Sequence, residues 1–166
     1  MAIELETLNL TQPSGGVPNN VLPLVLYHHV SHEPHLAEYF EQLFAKNGWT
    51  PRWRYPVFTY THFHSNTHEV LGVYAGNAKI QFGGEDGPIV DISRGDAVLI
   101  PAGVGHKQIA ASEDFMCVGA YPVNHEPDKF VDKPGQLEKV QGNIAKVDKP
   151  KTDPVLGEQG GIIKVW

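Results

Sequence analysis

The sequence predicts an all-β protein, a small sandwich or barrel of antiparallel strands that carries one helix. Three observations lead to this prediction. The 166-residue chain contains 17 Gly and 13 Pro, a composition that favours turns and short strands over long helices. Between residues 57 and 121, short apolar stretches follow one another at regular intervals, separated by turn residues. One segment alone has the residue spacing of an amphipathic helix.

Residues 1–50 are expected to form an N-terminal arm and a helix that pack on the barrel. A short apolar stretch at 5–10 and a turn-rich linker precede a predicted strand at 21–27. Apolar residues then recur at i, i+4, i+7 and i+8, namely Leu36, Phe40, Leu43 and Phe44. This spacing predicts a helix over about 35–47, which Gly48 would end.

Residues 51–125 are expected to form the barrel itself. The predicted strands cover 57–64, 69–75, 78–82, 89–92, 97–100, 106–110 and 115–121. The pair Gly76-Asn77 between the second and third of these is typical of a hairpin turn. Many short strands at such intervals indicate a closed or two-layered β architecture.

Residues 126–166 are expected to form an extended C-terminal arm laid over the barrel. Between 128 and 154 the chain is rich in Lys, Asp, Pro and Gly and has little apolar content, so it cannot build a core of its own. The final stretch at 162–166 is apolar again. The three segments together are expected to make one structural domain.

Charge and cysteine content narrow the partners and the compartment. The chain has 13 Lys and Arg against 19 Asp and Glu, a net charge of −6, which disfavours a nucleic-acid partner. Cys117 is the only cysteine, so an internal disulfide framework is excluded and a reducing compartment is expected. No apolar run approaches the roughly 18 residues of a membrane span. The sequence therefore predicts a cytoplasmic protein with no membrane partner.

The stretch from His62 to Glu69 carries the strongest chemical signal. In a strand, residues two apart face the same way, so His62 and His64 can direct both imidazoles to one point. The turn at 65–67 resets the alternation and allows Glu69 to aim at the same point, and His106 follows a Pro/Gly turn. Three imidazoles and one carboxylate suit a divalent transition metal such as Fe, Mn, Ni, Zn or Cu, with positions open for water or substrate.

Two ordered motifs give these residues a family resemblance. The patterns are His62-x-His64-x4-Glu69-x6-Gly76 and Gly95-x5-Pro101-x-Gly103-x2-His106. They resemble the two sequence motifs of the cupin superfamily, including uncharacterised single-domain bacterial cupins. The resemblance covers about residues 55–122 and implies a double-stranded β-helix, the RmlC-like jelly-roll barrel. It also implies one divalent metal held by His62, His64, Glu69 and His106. The family's usual Gly and Asn are replaced here by Pro56 and Ala110.

Four further residues are candidates for lining the pocket, namely Phe58, Tyr60, His68 and Gln108. Phe58 and Tyr60 share a predicted strand face with the histidines, and Gln108 is in phase with His106; filling of the barrel interior explains these three equally well. His68 lies in the turn, where an exposed loop residue is the simpler interpretation and a supporting role at the metal is the alternative. A second histidine cluster at 28–35 is interpreted as a polar boundary between strand and helix.

Two functions fit the sequence. The first is a metal-dependent enzyme acting on a small organic molecule, of the dioxygenase, isomerase or decarboxylase type, with no catalytic residue yet assigned. The second is a non-catalytic module that binds or senses a sugar or other small molecule. Assembly is inferred from the apolar N-terminal strand, because an open sheet edge tends to pair with a second copy. We therefore expect a homodimer, which light scattering would measure as twice the mass of the chain.

Overall fold

A computed structural model describes residues 2–166, and two antiparallel sheets dominate it. The strands of the larger sheet are β1 (Glu4–Leu8), β2 (Leu24–His28), β3 (Trp49–Tyr55), β5 (Glu69–Ala75), β8 (Ala97–Ile100) and β10 (Met116–Pro122). They are ordered β1-β2-β8-β5-β10-β3. The strands of the smaller sheet are β4 (His62–Phe63), β6 (Asn77–Phe82), β7 (Ile89–Ser93), β9 (His106–Ala111) and β11 (Phe130–Val131). Their order is β11-β4-β9-β6-β7.

Side-chain alternation along β5 determines which of its residues face the core between the two sheets. Leu71 and Val73 belong to a buried cluster shared with Ile80 and Phe82 of the smaller sheet. Val70, one residue out of phase, belongs to a separate cluster on the opposite face of the larger sheet. Because alternate residues of a strand face opposite sides, Glu69 shares the inner face with Leu71. The predicted β-barrel architecture is confirmed.

The first helix, α1 (Leu36–Lys46), covers the outer face of the larger sheet. The residues that gave the helical spacing point inward, since Leu36, Phe40 and Phe44 are buried in the cluster that includes Val70. Phe40 lies so close to β5 that a Cβ on Gly72 would come within 2.6 Å of its ring. Glycine at this position therefore lets the helix approach the sheet, and the predicted helix is confirmed.

Three local expectations about strands differ from the structure. The expected strand at 57–64 is regular only at His62–Phe63, because the chain bends at Thr59 and Tyr60. A strand that was not expected, β3, precedes it. Gly76 does not close a hairpin: β5 pairs with β8 and β10, whereas β6 pairs with β7 and β9. The chain passes from one sheet to the other at Gly76, whose φ is +72°.

The C-terminal segment, residues 126–166, is more structured than the extended arm that was expected. After β11 it forms α2 (Leu137–Ile144) and the short α3 (Ile162–Val165). Val140 of α2 is fully buried against Phe63 and Val17, which supplies the apolar contact that the segment lacks internally. The segment therefore gains its helices by packing on the barrel. Across residues 2–166, no helix has the length and apolar character needed to cross a membrane.

Candidate metal centre

Four potential donor side chains come from both sheets and meet between them. His62 of β4 is the direct register partner of His106 of β9, which places their side chains on neighbouring strands of the smaller sheet. His64 follows one residue after β4 ends. Glu69 begins β5 in the larger sheet and faces inward with Leu71. The predicted set of four residues is thus brought together across the interior of the barrel.

The distances among these side chains are those of a compact cluster. One ring nitrogen from each of His62, His64 and His106 lies within 4.8 Å of the others. Glu69 Oε1 is 3.2 Å from His106 Nε2, and Glu69 Oε2 is 3.4 Å from His64 Nε2. All four residues are buried, with Glu69 and His106 each only 2% exposed. A single ion of ordinary coordination radius fits among the three imidazoles, and Glu69 lies beside two of them, His64 and His106.

Several atoms of the cluster are buried without a hydrogen-bond partner. They are Nδ1 of His62, Nε2 of His64, Nε2 of His106 and Oε1 of Glu69. The short distances from Glu69 to the two imidazoles therefore lack the angular geometry of hydrogen bonds. Buried polar atoms are normally paired, because an unpaired one carries an uncompensated desolvation cost. The donor set therefore fits a metal ion better than it fits a closed hydrogen-bond network.

Backbone carbonyls orient two of the imidazoles. His64 Nδ1 lies 2.5 Å from the carbonyl oxygen of Asp128, and His106 Nδ1 lies 3.1 Å from that of Val104. A carbonyl only accepts, so these contacts assign the ring proton to Nδ1 and leave Nε2 of both rings as a lone-pair donor. The Asp128 carboxylate in turn accepts hydrogen bonds from the backbone N–H and the hydroxyl of Ser65.

Tyr121 holds the carboxylate from the larger sheet. Its hydroxyl donates to Glu69 Oε2 at 2.7 Å and accepts from Trp53 Nε1 at 2.9 Å. Oε2 of Glu69 is therefore occupied by the protein itself, while Oε1 remains unpartnered beside His106. This hydrogen bond from β10 fixes the orientation of the Glu69 carboxylate, because it binds the oxygen that does not face His106.

A cavity opens onto the donor atoms. Its volume is about 260 Å³, and its lining includes His62, His64, Glu69 and His106 at one end. The remaining lining is mostly aromatic and aliphatic, from Trp53, Tyr55, Pro56, Val57, Phe58, Leu71 and Tyr121 together with Arg54. A concave, largely apolar cavity with a few converging polar groups is the usual form of a small-molecule site.

Comparison with known proteins supplies the family. The chain is 40% identical over 166 residues to the uncharacterized protein YjlB of Bacillus subtilis (strain 168), across 99% of both chains. Identity at this level over the whole length places the two in one family. The chain belongs to the YjlB family. It has the cupin fold, because its two facing antiparallel sheets bring the residues of both motifs to one point. No protein-family model matches the chain.

Solved structures that resemble this cupin include three enzymes. The epimerase RmlC from Legionella pneumophila Philadelphia 1 is 15% identical over 77% of each chain, with a TM-score of 0.42. Acireductone dioxygenase from Bacillus anthracis, which holds a cadmium ion in its active centre, is 17% identical over 75% of this chain and 80% of the dioxygenase, with a TM-score of 0.40. The DMSP lyase DddQ from Ruegeria pomeroyi is 18% identical over 80% of this chain, with a TM-score of 0.38. The cupin spans about half, 53%, of the lyase chain.

The protonation of two donors, His62 and Glu69, has different causes. Burial, and then the neighbouring His106, lowers the pKa of His62 to about 2, so its imidazole is neutral near pH 7. Burial alone would raise the pKa of the Glu69 carboxyl, but His64 and His106 outweigh burial and hold it well below its ordinary value. A neutral imidazole and an ionised carboxylate are the forms that bind a metal.

The four candidate lining residues lie in different environments in the cupin barrel. Phe58 lines the cavity and meets His62 edge to face at 5.0 Å. Tyr60 is 40% exposed, and its ring stacks against that of Phe58. Gln108 does not line the cavity. It fixes the segment that precedes β4: its side-chain oxygen accepts from the Val57 N–H, and its backbone N–H donates to the Phe58 carbonyl.

The interpretation of His68 as an exposed turn residue is wrong. It is only 2% exposed, and it lies outside the cavity lining. Its Nδ1 accepts the Ala102 N–H at 2.8 Å, and its ring lies 4.6 Å from that of Trp166. Burial lowers the pKa of His68 to about 4. His68 is covered by Trp166, a contact between distant parts of the chain that no local sequence signal indicates.

The second histidine cluster and the lone cysteine have other surroundings. Within residues 2–166, His62, His64 and His106 form the only group of three or more potential ligands close enough to share an ion. His28 instead approaches Glu6 at 3.1 Å. Cys117 is fully buried, and its burial raises the pKa of the thiol far above the ordinary range.

Two residues that support the donor set were not anticipated. Tyr121 falls at the end of a predicted strand in phase with buried Cys117, and this alternation is the signal that would have placed it inside. Asp128 has no such signal, because its contacts with His64 and Ser65 depend on how the C-terminal segment folds back.

Proposed function

We propose that this cupin binds one divalent transition metal through His62, His64, Glu69 and His106 and uses it on a small organic molecule. The observation that carries the proposal is the convergence of buried, unpartnered nitrogen and oxygen atoms at the end of an open cavity. Iron, manganese, nickel and zinc all accept this mixture of imidazole and carboxylate donors.

The residues around the donor set have separable tasks. When bound, the metal supplies Lewis-acid or oxygen-binding chemistry to a molecule whose own oxygen atoms reach it. Asp128 and Val104 orient the two imidazoles through their carbonyls, and Tyr121 keeps Glu69 turned toward the histidines. The rest of the lining is mostly apolar and suits the organic part of such a molecule. These features support an enzyme of the dioxygenase, isomerase or decarboxylase type.

The metal content of the untagged protein tests the proposal. We expect about one equivalent of a single transition metal by mass spectrometry, lost in His62→Ala and in His106→Ala while circular dichroism stays unchanged. His32→Ala is the matched control, because His32 is exposed and lies away from the cavity. A protein without metal after anaerobic reconstitution, or equal metal in all four proteins, would contradict the proposal.

The identity of the metal directs the assay for turnover. Iron or manganese leads to oxygen-uptake measurements, and zinc or nickel leads to isomerase and decarboxylase assays. Saturable binding without turnover of any bound compound would favour a non-catalytic binding or sensing cupin.

We further propose a homodimer formed through β1. This strand is the edge of the larger sheet, pairs only with β2 among the described strands, and exposes Leu5. An unpaired strand edge of this kind offers backbone groups to a second copy.

A further inference from the structure

The cavity walls limit the chemistry of the molecule that the donor set would serve. Beyond the donor end, the side chains that meet a ligand are chiefly the rings of Trp53, Tyr55, Phe58 and Tyr121 and the aliphatic Leu71. The volume of about 260 Å³ is at or below the lower end of ordinary small-molecule sites, which begin near roughly 300 Å³. The body of the ligand is therefore small and surrounded mainly by apolar groups.

On these walls the Tyr121 hydroxyl and the Arg54 guanidinium are already paired, whereas the Tyr55 hydroxyl lies on a side chain that is 52% exposed. The Tyr121 hydroxyl donates to Glu69 and accepts from Trp53. Arg54 is the only cationic residue in the lining, and its guanidinium binds Glu41 at 2.7 and 2.9 Å and Glu38 at 3.2 Å. A sugar or a polycarboxylic acid would bury hydroxyl or carboxylate groups here without partners. Unpaired groups of this kind cost binding free energy and exclude such ligands strongly.

A row of aromatic rings leads from the surface to the donor set. Tyr55 and Phe58 are 5.8 Å apart, and Phe58 and Tyr60 stack at 5.0 Å with an interplanar angle of 16°. At the inner end, Phe58 meets His62. Tyr55 and Tyr60 are 52% and 40% exposed, although aromatic rings are usually buried more fully. A planar ring entering the cavity would continue this stacking.

Positive charge at the metal-loaded donor set and beside Phe58 favours a ligand with anionic oxygens. Three neutral imidazoles, one carboxylate and a divalent ion sum to a net charge of +1. Beside the cavity but outside its lining, Lys129 Nζ lies 4.7 Å from the centre of the Phe58 ring and donates to the Tyr60 hydroxyl at 2.6 Å. Within residues 2–166, Lys129 forms no ion pair.

We propose that the ligand is a small planar aromatic molecule with two adjacent oxygen donors, of the salicylate or catechol type. Its ring lies against Phe58, and its oxygens face His62, His64, Glu69 and His106. This inference rests on the proposed metal site and specifies the substrate class of that site. It also separates the protein from sugar-binding cupins, because a sugar ring presents hydroxyl groups on every side.

Calorimetry on the metal-loaded full chain tests the ligand class. The probes are salicylate and 4-methylcatechol, compared with gluconate and malate, which offer similar oxygen donors on aliphatic bodies. We expect both aromatic probes to bind at least tenfold more tightly than the aliphatic ones. Phe58→Leu, which keeps an apolar side chain but removes the ring, should weaken salicylate binding about fivefold at unchanged metal content. Ile109→Ala, an exposed position on β9, is the control.

The outcomes separate this inference from the metal proposal. A wild-type chain that binds no metal would overturn both the metal site and the ligand class. A chain that holds metal and binds gluconate or malate as tightly as salicylate, or binds none of the probes, would overturn the ligand class alone. Equal salicylate affinity in Phe58→Leu and the wild type would also contradict it.

Discussion

Glu69 and Asp153 are both buried carboxylates that accept a hydrogen bond from a tyrosine hydroxyl. Asp153 is 0% exposed and Glu69 is 2% exposed. Tyr27 donates to Asp153 at 2.5 Å, and Tyr121 donates to Glu69 at 2.7 Å. Beyond this shared contact the two sites differ in how completely the protein satisfies the carboxylate.

Asp153 has all of its partners within the C-terminal segment and β2. Its Oδ1 accepts the N–H groups of Val155 and Leu156, and its Oδ2 accepts the Ile162 N–H together with the Tyr27 hydroxyl. Glu69 keeps Oε1 unpartnered, 3.2 Å from His106 Nε2. A carboxylate satisfied by its own chain stabilises the fold, whereas one with an open oxygen is available to a ligand.

The largest expected effect on stability is that of Asp153→Asn. The amide nitrogen that replaces Oδ2 cannot accept from Ile162 or Tyr27, so buried donors lose their partner. We expect the free energy of unfolding to fall by about 3 kcal/mol in urea titrations. Asp148→Asn, at an exposed position in the same segment, should change it by less than about 0.5 kcal/mol. Equal effects of the two variants would mean that Asp153 does not anchor the segment.

Tyr27→Phe should have an intermediate effect. It removes one hydrogen bond to a charged group and leaves the three backbone donors of Asp153 in place, so we expect a loss of about 1.5 kcal/mol. Burial, and then the charge of Asp153, raises the pKa of Tyr27 well above 10.0.

The raised pKa gives this contact a defined pH dependence. The phenol is protonated in the hydrogen bond, so its contribution is complete below the unfolded value of about 10 and is lost as the pH rises toward the folded pKa. The wild type should therefore lose more stability than Tyr27→Phe between about pH 9 and about pH 11. Parallel losses in the two proteins would show that the hydroxyl does not stabilise the fold.

The smallest expected effect on metal-free stability is that of Glu69→Gln. The amide oxygen can still accept from Tyr121, and one buried charge is removed. The free energy of unfolding of the protein freed of metal by a chelator should therefore change by less than about 1 kcal/mol. Added metal should stabilise the wild type by roughly 3–4 kcal/mol at 100 to 1,000 times its dissociation constant and the variant much less. A loss as large as that of Asp153→Asn would make Glu69 a structural residue.

Much of the architecture was predictable because it depends on local patterns. The spacing of Leu36, Phe40 and Phe44 defines α1, and the turns between short apolar stretches define most strands. Strand β3 was missed because Pro51 is unfavourable within a strand, although the apolar and polar residues of the segment alternate. Helix α2 was missed because only Val140 is buried and Gly142 weakens the helical signal.

The candidate site divides in the same way. The alternation of His62 and His64 and the turn before Glu69 can be read from neighbouring residues. Asp128 and the burial of His68 depend on contacts with distant parts of the chain, which local patterns do not contain. Tyr121 is predictable only in part. Its position in the strand alternation shows that its side chain faces the interior, but not that its hydroxyl binds Glu69.

The return of the C-terminal segment to the donor set has a consequence for synthesis. His64 and the Asp128 carbonyl that orients it are 64 residues apart, and Ser65 and its partner Asn143 are 78 apart. On the ribosome, where chains grow at roughly 5–20 residues per second, all four proposed metal ligands emerge seconds before these partners do. An ion captured by the nascent chain therefore meets mobile imidazoles, and its final coordination is set only when translation of the segment is complete.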